Sequence, residues 1–359
     1  MTFEEARAAF PVLERIAYLN AGSNGPLATA TVEELSARAR EAAEQGRSGA
    51  WYMDEIVGVR EALRSRIAAL LSVPADRVAL TTSTTRGCNS VLAGLGLGAG
   101  DEIVTTDSEH FGLLGPLYAS GARVRVAEVR ERPAAAAFDA ILGEISPRTR
   151  LVALSHVSWH TGHVLPLDQL RAEIELPILI DGAQSVGAIP VDASPFDFYT
   201  VSGQKWLCGP DATGALYVRE PDELRVAAPS YFCQDEYELD GRFVPKPDAA
   251  RFDADGLALP SLAALVAAID AAPDWRFERA AEAGARCHEL LVDAGVEVVT
   301  EPGHATLVSF RPSRPAADVV ADAAAAGVVV RDLPKTPWVR VSCGYWTSDE
   351  DLGRLVAVA

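Results

Sequence analysis

Apolar and polar positions alternate along the chain in a pattern that predicts helices and strands in turn. From about residue 30 to 225, stretches with apolar side chains at helical spacing, such as 31–47 and 55–72, are interleaved with short apolar runs. These strand-like runs are RVALTTS, DEIVTTD, RVRVAEV, TRLVALSHV, PILID and DFYTVSG. Several are almost wholly apolar, as expected for strands buried on both faces. The pattern predicts an α/β fold with a mostly parallel sheet.

The C-terminal part of the chain has a different rhythm. The runs VEVVT, ATLVSFRP, VVVRDL and WVRVSCG predict strands, an Ala-rich stretch at 317–327 predicts a helix, and a final helix follows. Thr347 and Glu350 match a T-x-x-E capping box at the start of that last helix. We therefore expect two domains: a large α/β domain over 15–255, and a small α+β domain formed by 1–14 and 256–359.

A glycine-rich run, Gly94–Gly100, has some of the composition of a dinucleotide-binding loop. Such a loop follows a strand and opens a helix. Here a helical pattern precedes the run and the strand pattern DEIVTT follows it. We therefore interpret the run as a turn from a helix to a strand, and a nicotinamide-dependent oxidoreductase is disfavoured.

Composition and charge exclude several classes of function. The 359-residue chain has a formal net charge of −18, which argues against a nucleic-acid partner. No apolar stretch reaches the length of a membrane span, and the acidic start lacks a signal-peptide pattern. The five cysteines are scattered and never spaced as CxxC, so neither a disulfide framework nor a metal site is expected. A cytoplasmic protein is the expectation.

Two residues at predicted strand ends have the chemistry needed to bind a carbonyl cofactor covalently. Lys205 follows an apolar strand within SGQKWLCGP, where a desolvated amine can form a Schiff base, although a lone lysine is usually a solvated charge. Asp181 ends the strand PILID and either caps a turn or pairs with a protonated ring nitrogen. A separation of 24 residues, 205 − 181, is compatible with neighbouring strand ends.

Two other strand ends carry candidate ligand-binding groups. Thr84 and Thr85 lie between the strand RVAL and a helical pattern, where they either cap a helix or help to bind an anion at its N-terminus. His110 closes a further strand, and it is either a satisfied core residue or a side chain that lies against a cofactor ring. The spacing alone leaves both alternatives open.

The order of these features resembles the aminotransferase class V enzymes, which are pyridoxal 5'-phosphate (PLP) enzymes of fold type I. The resemblance covers nearly the whole chain and rests on TTRGCN, GDEIVTTDSEH, LSHVSWHTGHVLPL, DGAQSVGAIPVD and SGQKWLCGP. The group includes cysteine desulfurases, isopenicillin-N-epimerase-like proteins and kynureninases. The sequence is most similar to the cysteine/cystine C–S lyases. The resemblance implies a PLP cofactor and a homodimer.

The resemblance also implies roles for individual residues. Lys205 would hold PLP and move protons, Asp181 would pair with the ring nitrogen, and His110 would stack on the ring. The other cofactor-binding positions that it implies are Gln184 at the phenolic oxygen, Thr84, Thr85 and Ser202 at the phosphate together with Gln204, and Trp159 beside the ring oxygen. Arg340 would bind the substrate α-carboxylate. Arg331 would be a second such arginine, or otherwise a surface residue at a strand end.

The chain departs from the desulfurase pattern in three places. The stretch 317–339 contains no cysteine, whereas desulfurases have a nucleophilic cysteine shortly before the substrate arginine. Cys343 comes after that arginine and is a poor substitute. Trp159 stands where desulfurases have an asparagine near the cofactor oxygen, and the C–S lyases are similar in having a tryptophan there. Gly256 stands where relatives have a threonine that reaches the phosphate of the neighbouring subunit.

The segment 231–251 has the character of a mobile loop that covers the site.

From these features we expect a PLP-dependent C–S β-lyase. Its substrate would be a cysteine-type amino acid (cysteine, cystine or an S-conjugate), and its products would be pyruvate, ammonia and a sulfur compound. A class V aminotransferase or an amino-acid epimerase is the alternative, and a cysteine desulfurase is less favoured because of the missing cysteine. A cofactor-free binding protein is disfavoured because both Lys205 and Asp181 are present.

Overall fold

The computed structural model describes all residues, 1–359, and contains two main sheets. The helices are α1 (Phe3–Ala8), α2 (Thr29–Gln45), α3 (Gly49–Leu71), α4 (Thr84–Leu95), α5 (Phe111–Ala119), α6 (Ala137–Gly143), α7 (Leu167–Glu173), α8 (Leu259–Ala271), α9 (Arg276–Asp293), α10 (Ala316–Ala325) and α11 (Asp349–Val356). None of these helices has the length and apolar character needed to cross a bilayer.

The strands follow the predicted alternation closely. They are β1 (Ala17–Tyr18), β2 (Val78–Thr81), β3 (Glu102–Thr106), β4 (Arg123–Ala127), β5 (Thr149–Ser155), β6 (Ile178–Asp181), β7 (Phe198–Ser202), β8 (Gly214–Val218), β9 (Gln234–Tyr237), β10 (Phe243–Pro245), β11 (Glu297–Val298), β12 (Leu307–Arg311), β13 (Val328–Val329), β14 (Arg331–Asp332) and β15 (Val339–Ser342). The α/β class predicted from the sequence is confirmed.

The large sheet has seven strands in the order β2-β8-β7-β6-β5-β3-β4. All pairings are parallel except those of β8, which runs antiparallel to both β2 and β7. Strands β2, β3, β6, β7 and β8 are buried along their whole length, which agrees with their apolar sequences. Strand β8 was not predicted from the sequence; its run GALYV follows the lysine loop after a short turn.

The small sheet has four strands in the order β11-β12-β15-β14, all antiparallel. Its core is a separate cluster of buried apolar residues that includes Phe310, Val341 and Leu352. The N-terminal strand β1 pairs in parallel with β13, and α8 packs against α2 and α3. The division of the chain into domains at residues 15 and 255 remains a prediction.

Two local predictions differ from the structure. The capping box of α11 is formed by Ser348 and Asp351, one residue later than predicted, while Thr347 is fully buried. The segment 231–251, predicted as a loop, contains the antiparallel hairpin β9–β10 between two short 3-10 helices. The glycine run behaves as predicted, because Gly96 ends α4 at a φ of +63° before the chain enters β3.

Candidate active site

The predicted cofactor residues lie at one edge of the large sheet, where its parallel strands end. Asp181 ends β6, Ser202 ends β7, and Thr84 follows β2 at the start of α4. Ligands in open α/β sheets bind at the carboxyl ends of the strands. The glycines show how closely these loops approach, since a Cβ on Gly214 would lie 2.5 Å from the Val201 carbonyl oxygen and 3.1 Å from the Ser83 nitrogen.

Lys205 lies in a tight loop that follows β7. The loop is closed by two backbone hydrogen bonds, from Cys208 to Lys205 (3.0 Å) and from Gly209 to Gly203 (2.9 Å). Burial lowers the pKa of Lys205 to about 8; Asp181 opposes the shift, and Arg340 adds to it. An amine with this pKa is neutral far more often than an exposed lysine, so it is suited to nucleophilic attack and to proton transfer.

Asp181 is 3% exposed and has no ion-pair partner within the chain. One of its oxygens accepts a hydrogen bond from the backbone N–H of Ala183 (2.9 Å). Burial raises its pKa, while the charge of Lys205 and that N–H act in the opposite direction. The second carboxylate oxygen is therefore available for a protonated ring nitrogen.

The N-terminus of α4 presents unpaired donors. Ser83 caps the helix by accepting from the backbone N–H of Arg86 (3.1 Å). The side-chain hydroxyls of Thr84 and Thr85 make no hydrogen bond within the chain, and they lie where the helix dipole favours an anion. The structure thus combines the two sequence alternatives: Ser83 is the cap, and the threonines are left for a ligand.

Three polar side chains lie at the same edge of the sheet: Ser202 ends β7, and Gln204 and Gln184 follow β7 and β6. Ser202 donates to the side-chain oxygen of Gln204 (2.8 Å). Gln184, which is 4% exposed, donates to the carbonyl of Gly22 (2.9 Å) and accepts from the indole N–H of Trp206 (2.9 Å). Gln184 is therefore held in one orientation, with its second amide N–H left for a ligand.

His110 and Trp159 border the space between the lysine loop and the arginines Arg331 and Arg340, which we call the cleft. His110 caps α5 through its Nδ1, which accepts from the backbone N–H of Gly112 (3.0 Å), and its ring is perpendicular to that of Trp159 at a centroid distance of 5.0 Å. Although more than a third of the His110 side chain is accessible, burial and the charges of Lys205 and Arg331 lower its pKa to about 4. His110 is therefore a neutral ring at physiological pH, and one that is available for stacking.

Arg340 and Arg331 come from the small sheet, where they are directly opposite each other on β15 and β14. Arg340 is fully buried, donates to the Trp159 carbonyl (3.1 Å), and has no carboxylate partner. Burial, together with the charge of Arg331, lowers its pKa to about 9. Arg331 also lacks a carboxylate partner, and its guanidinium lies 5.9 Å from the Trp159 ring. A buried guanidinium without an anion is costly and indicates an anionic ligand.

Ser23, which joins the two arginines, was not predicted from the sequence. Its Oγ accepts from Arg331 (3.2 Å) and from Arg340 (3.2 Å) and donates to the side chain of Asn20 (2.9 Å). The only signal in the sequence is the glycine-rich turn NAGSNG, which is typical of a close backbone approach. The structure agrees, because a Cβ on Gly25 would lie 2.1 Å from the Lys205 carbonyl oxygen.

Comparison with known proteins assigns the chain to a broad group. The model of the family described as aminotransferase class-V matches residues 18–302. Isopenicillin N epimerase from Streptomyces clavuligerus is 28% identical over 98% of this chain and 96% of the epimerase. A cysteine desulfurase from Klebsiella pneumoniae (strain 342) is 34% identical over 64% of this chain, and the match spans 61% of that enzyme.

A solved structure shows the same fold. The cystine C–S lyase C-DES, in complex with its reaction product cysteine persulfide, is 28% identical and superimposes with a TM-score of 0.89 over 97% of this chain and 98% of that chain. A lysine-to-alanine variant of C-DES has glycine covalently linked to its PLP cofactor, with the same identity and TM-score.

Proposed function

We propose a function from one established premise: the chain belongs to the aminotransferase class-V family, whose enzymes depend on PLP. The proposal is that this enzyme breaks the carbon–sulfur bond of a cysteine-type amino acid by β-elimination. The observation that carries it is the pairing, in one cleft, of a half-buried lysine of lowered pKa with a fully buried arginine that has no anion.

The side chains of the cleft fit PLP by charge and by unmet hydrogen bonds. Thr84 and Thr85 provide free hydroxyls at a helix N-terminus for the phosphate, and Asp181 has a free oxygen for the ring nitrogen. His110 presents a neutral ring. Lys205 makes no side-chain hydrogen bond and is available for the covalent link to the aldehyde. Each group lacks a partner that PLP would supply.

Once bound, PLP accepts the electron pair that is left on the α-carbon when its proton departs. Arg340 would bind the α-carboxylate of the substrate with its planar guanidinium, which fixes the orientation of the amino acid. Lys205, whose pKa of about 8 is close to neutral pH, would remove the α-proton. Asp181 would pair with the ring nitrogen through its free carboxylate oxygen and favour the protonated form of that nitrogen.

β-Elimination then breaks the bond between the β-carbon and sulfur while a double bond forms between the α- and β-carbons. With cystine, the leaving group is the persulfide of cysteine, and water converts the released 2-aminoacrylate into pyruvate and ammonia. The balance is one cystine and one water to one pyruvate, one ammonia and one cysteine persulfide. The likeness to C-DES, whose complex holds that persulfide, supports this choice of substrate.

The cysteines of this chain do not favour a desulfurase. Cys343, the residue that follows β15, is fully buried within the apolar core of the small sheet, so its thiol cannot reach a substrate in the cleft. The other four cysteines are buried as well. A persulfide-forming desulfurase needs an accessible nucleophilic thiol, because the thiolate attacks the sulfur of the substrate.

An epimerase is the second candidate, favoured by the relative from Streptomyces clavuligerus that matches almost the full length of the chain. The same lysine and arginine would serve that reaction. In an epimerase the α-carbon regains a proton, whereas in a lyase the sulfur group leaves the β-carbon. The two functions therefore differ in their products and not in the residues named so far.

The first test uses the purified protein supplied with PLP and incubated with L-cystine. We expect a visible absorption band from the lysine-bound cofactor, which shifts when cystine is added, and equal amounts of pyruvate and ammonia. A band that shifts without pyruvate, together with appearance of the D-isomer or of a cofactor amine, would replace the lyase with an epimerase or an aminotransferase. Absence of any band would contradict the assignment of the cofactor site.

The homodimer and the cytoplasmic location expected from the resemblance belong to the same proposal. Two large apolar side chains on α5, next to the cleft, support the dimer, since Phe111 is 77% exposed and Tyr118 is 61% exposed. Light scattering during size-exclusion chromatography tests the prediction. A mass near that of one 38.1 kDa chain would contradict it.

A further inference from the structure

Two positive charges are held side by side in the cleft without a negative charge. Arg331 and Arg340 are directly opposite each other on neighbouring antiparallel strands, so their side chains lie on the same face of the sheet. Neither makes an ion pair, whereas the other small-sheet arginine, Arg311, pairs with Glu297 at 3.1 Å. Like charges directly opposite each other destabilise a sheet, so an additional group must hold this pair.

The hydroxyl of Ser23 is that group, and all of its bonding capacity is used. A hydroxyl has one hydrogen to donate and two lone pairs that accept. The hydrogen goes to the side-chain oxygen of Asn20 (2.9 Å), and the lone pairs accept from Arg331 (3.2 Å) and Arg340 (3.2 Å). Because Asn20 fixes the hydrogen, both lone pairs face the guanidinium groups.

The turn that carries Ser23 is fixed to both halves of the cleft. On the side of the small sheet, the Gly22 N–H donates to the hydroxyl of Ser342 (3.1 Å). On the side of the lysine loop, the Gly22 carbonyl accepts from Gln184 (2.9 Å) and the Gly25 N–H donates to the Gln204 carbonyl (2.8 Å). Ser23 is therefore held in a defined position between the cofactor residues and the arginines.

We propose that Ser23 is a positioning residue for the substrate carboxylate, which acts by holding the Arg331 and Arg340 guanidinium groups towards one point. The inference rests on the proposed function, in which these arginines bind that carboxylate. A guanidinium has five N–H donors, and each arginine uses only part of this set in the contacts above. The carboxylate takes remaining donors while Ser23 stays in place.

Ser23→Ala and Ser23→Thr are the matched variants, since threonine retains the hydroxyl. The ligand is 3,3'-dithiodipropionate, which has the disulfide and both carboxylates of cystine but no amine to react with PLP. Its diamide has the same shape without the charges. The dissociation constant is measured by calorimetry on the PLP-loaded protein, so that the phosphate site is already filled.

We expect Ser23→Ala to weaken binding of the acid roughly tenfold, the range of one hydrogen bond to a charged group. Ser23→Thr should bind like the parent protein, and the diamide should bind all three proteins equally. Unchanged binding of the acid by Ser23→Ala, equal weakening by Ser23→Thr, or equal weakening for the diamide would each overturn the proposal.

Arg340→Lys separates this inference from the proposed function. If Arg340→Lys weakens binding of the acid and Ser23→Ala does not, the arginine binds carboxylate without help from Ser23, and only the present inference fails. If the parent protein binds the acid no better than the diamide, or if Arg340→Lys changes nothing, the arginines are not the carboxylate site. Both proposals then fail.

Discussion

The two ends of the cleft are built in different ways. At the cofactor end, each functional side chain lies at or just after a strand of one mostly parallel sheet, and several have a partner nearby in sequence, as Asp181 has Ala183 and Ser202 has Gln204. At the substrate end, Arg340 is joined to a turn near the start of the chain, 317 residues away at Ser23.

This difference also concerns charge. The cofactor end balances a lysine with Asp181, and the pKa of Lys205 is shifted in opposite directions by burial and by that carboxylate. The substrate end has two guanidinium groups and only a hydroxyl between them. A site with uncompensated charge must obtain its counter-ion from the ligand, so the substrate end selects for an anion while the cofactor end is nearly balanced internally.

The largest effect is expected at the cofactor end, from Lys205→Ala. Loss of the base that moves the α-proton should reduce kcat by roughly 10²–10⁴-fold. Production of pyruvate measures this effect, and Arg311→Gln is the control, since Arg311 is an exposed arginine that pairs with Glu297. Borohydride reduction followed by peptide mass analysis should place PLP on Lys205 alone. A label on Lys246 or Lys335 would contradict the assignment.

At the substrate end, Arg340→Lys should raise KM for cystine by about 10–100-fold with little change in kcat. Lysine retains the charge but loses the planar pair of donors, and hydrogen bonds between charged groups contribute about 1.5–3 kcal/mol each. Arg311→Gln, which removes an exposed arginine of the same sheet, is the control. A fall in kcat at constant KM would mean that the arginine acts on the reaction step and not on carboxylate binding.

A histidine in the loop after β5, where that loop contacts the small domain, should make the stability of the protein sensitive to pH. His163, 6% exposed, accepts through Nε2 from the backbone N–H of Glu301 (3.1 Å), and its ring lies 4.8 Å from that of His304. Burial, with the nearby His304, lowers the pKa of His163 to about 4. Because the folded pKa lies below the unfolded value of 6.5, its stabilising contribution is present above about pH 6.5 and is lost as the pH falls towards 4.

The matched measurement is the free energy of unfolding of the parent and of His163→Gln, by urea, at about pH 7.5 and pH 5. The parent should lose about 2 kcal/mol more than the variant between these values, since linkage gives that amount for one such histidine. Glu109 changes in the opposite direction, because burial raises its pKa to about 7, but it does so equally in both proteins. Parallel losses would contradict the role of His163.

The cofactor end could be predicted from the sequence far better than the substrate end. Strand ends such as Asp181 and Lys205 are indicated by apolar runs that stop at a polar residue, and the parallel arrangement then brings them to one edge. Ser23 could not be predicted, because its role depends on which strand is opposite Arg340 and on where the N-terminal turn packs. Neither is encoded in local spacing. The predicted capping box was wrong by one residue, because Thr347 and Ser348 both carry hydroxyls. Thr347 is buried, and Ser348 caps the helix.

The smallest effect is expected from Arg331→Gln. Arg331 is only partly buried, so solvent screens its charge, and its loss should raise KM for cystine by about threefold, far less than loss of Arg340. Because both arginines share Ser23, the double variant Ser23→Ala with Arg331→Gln should be less impaired than the product of the two single effects. Multiplicative effects would mean that Ser23 and Arg331 act independently. An unchanged KM for Arg331→Gln alone would mean that Arg331 is a strand-end residue without a part in carboxylate binding.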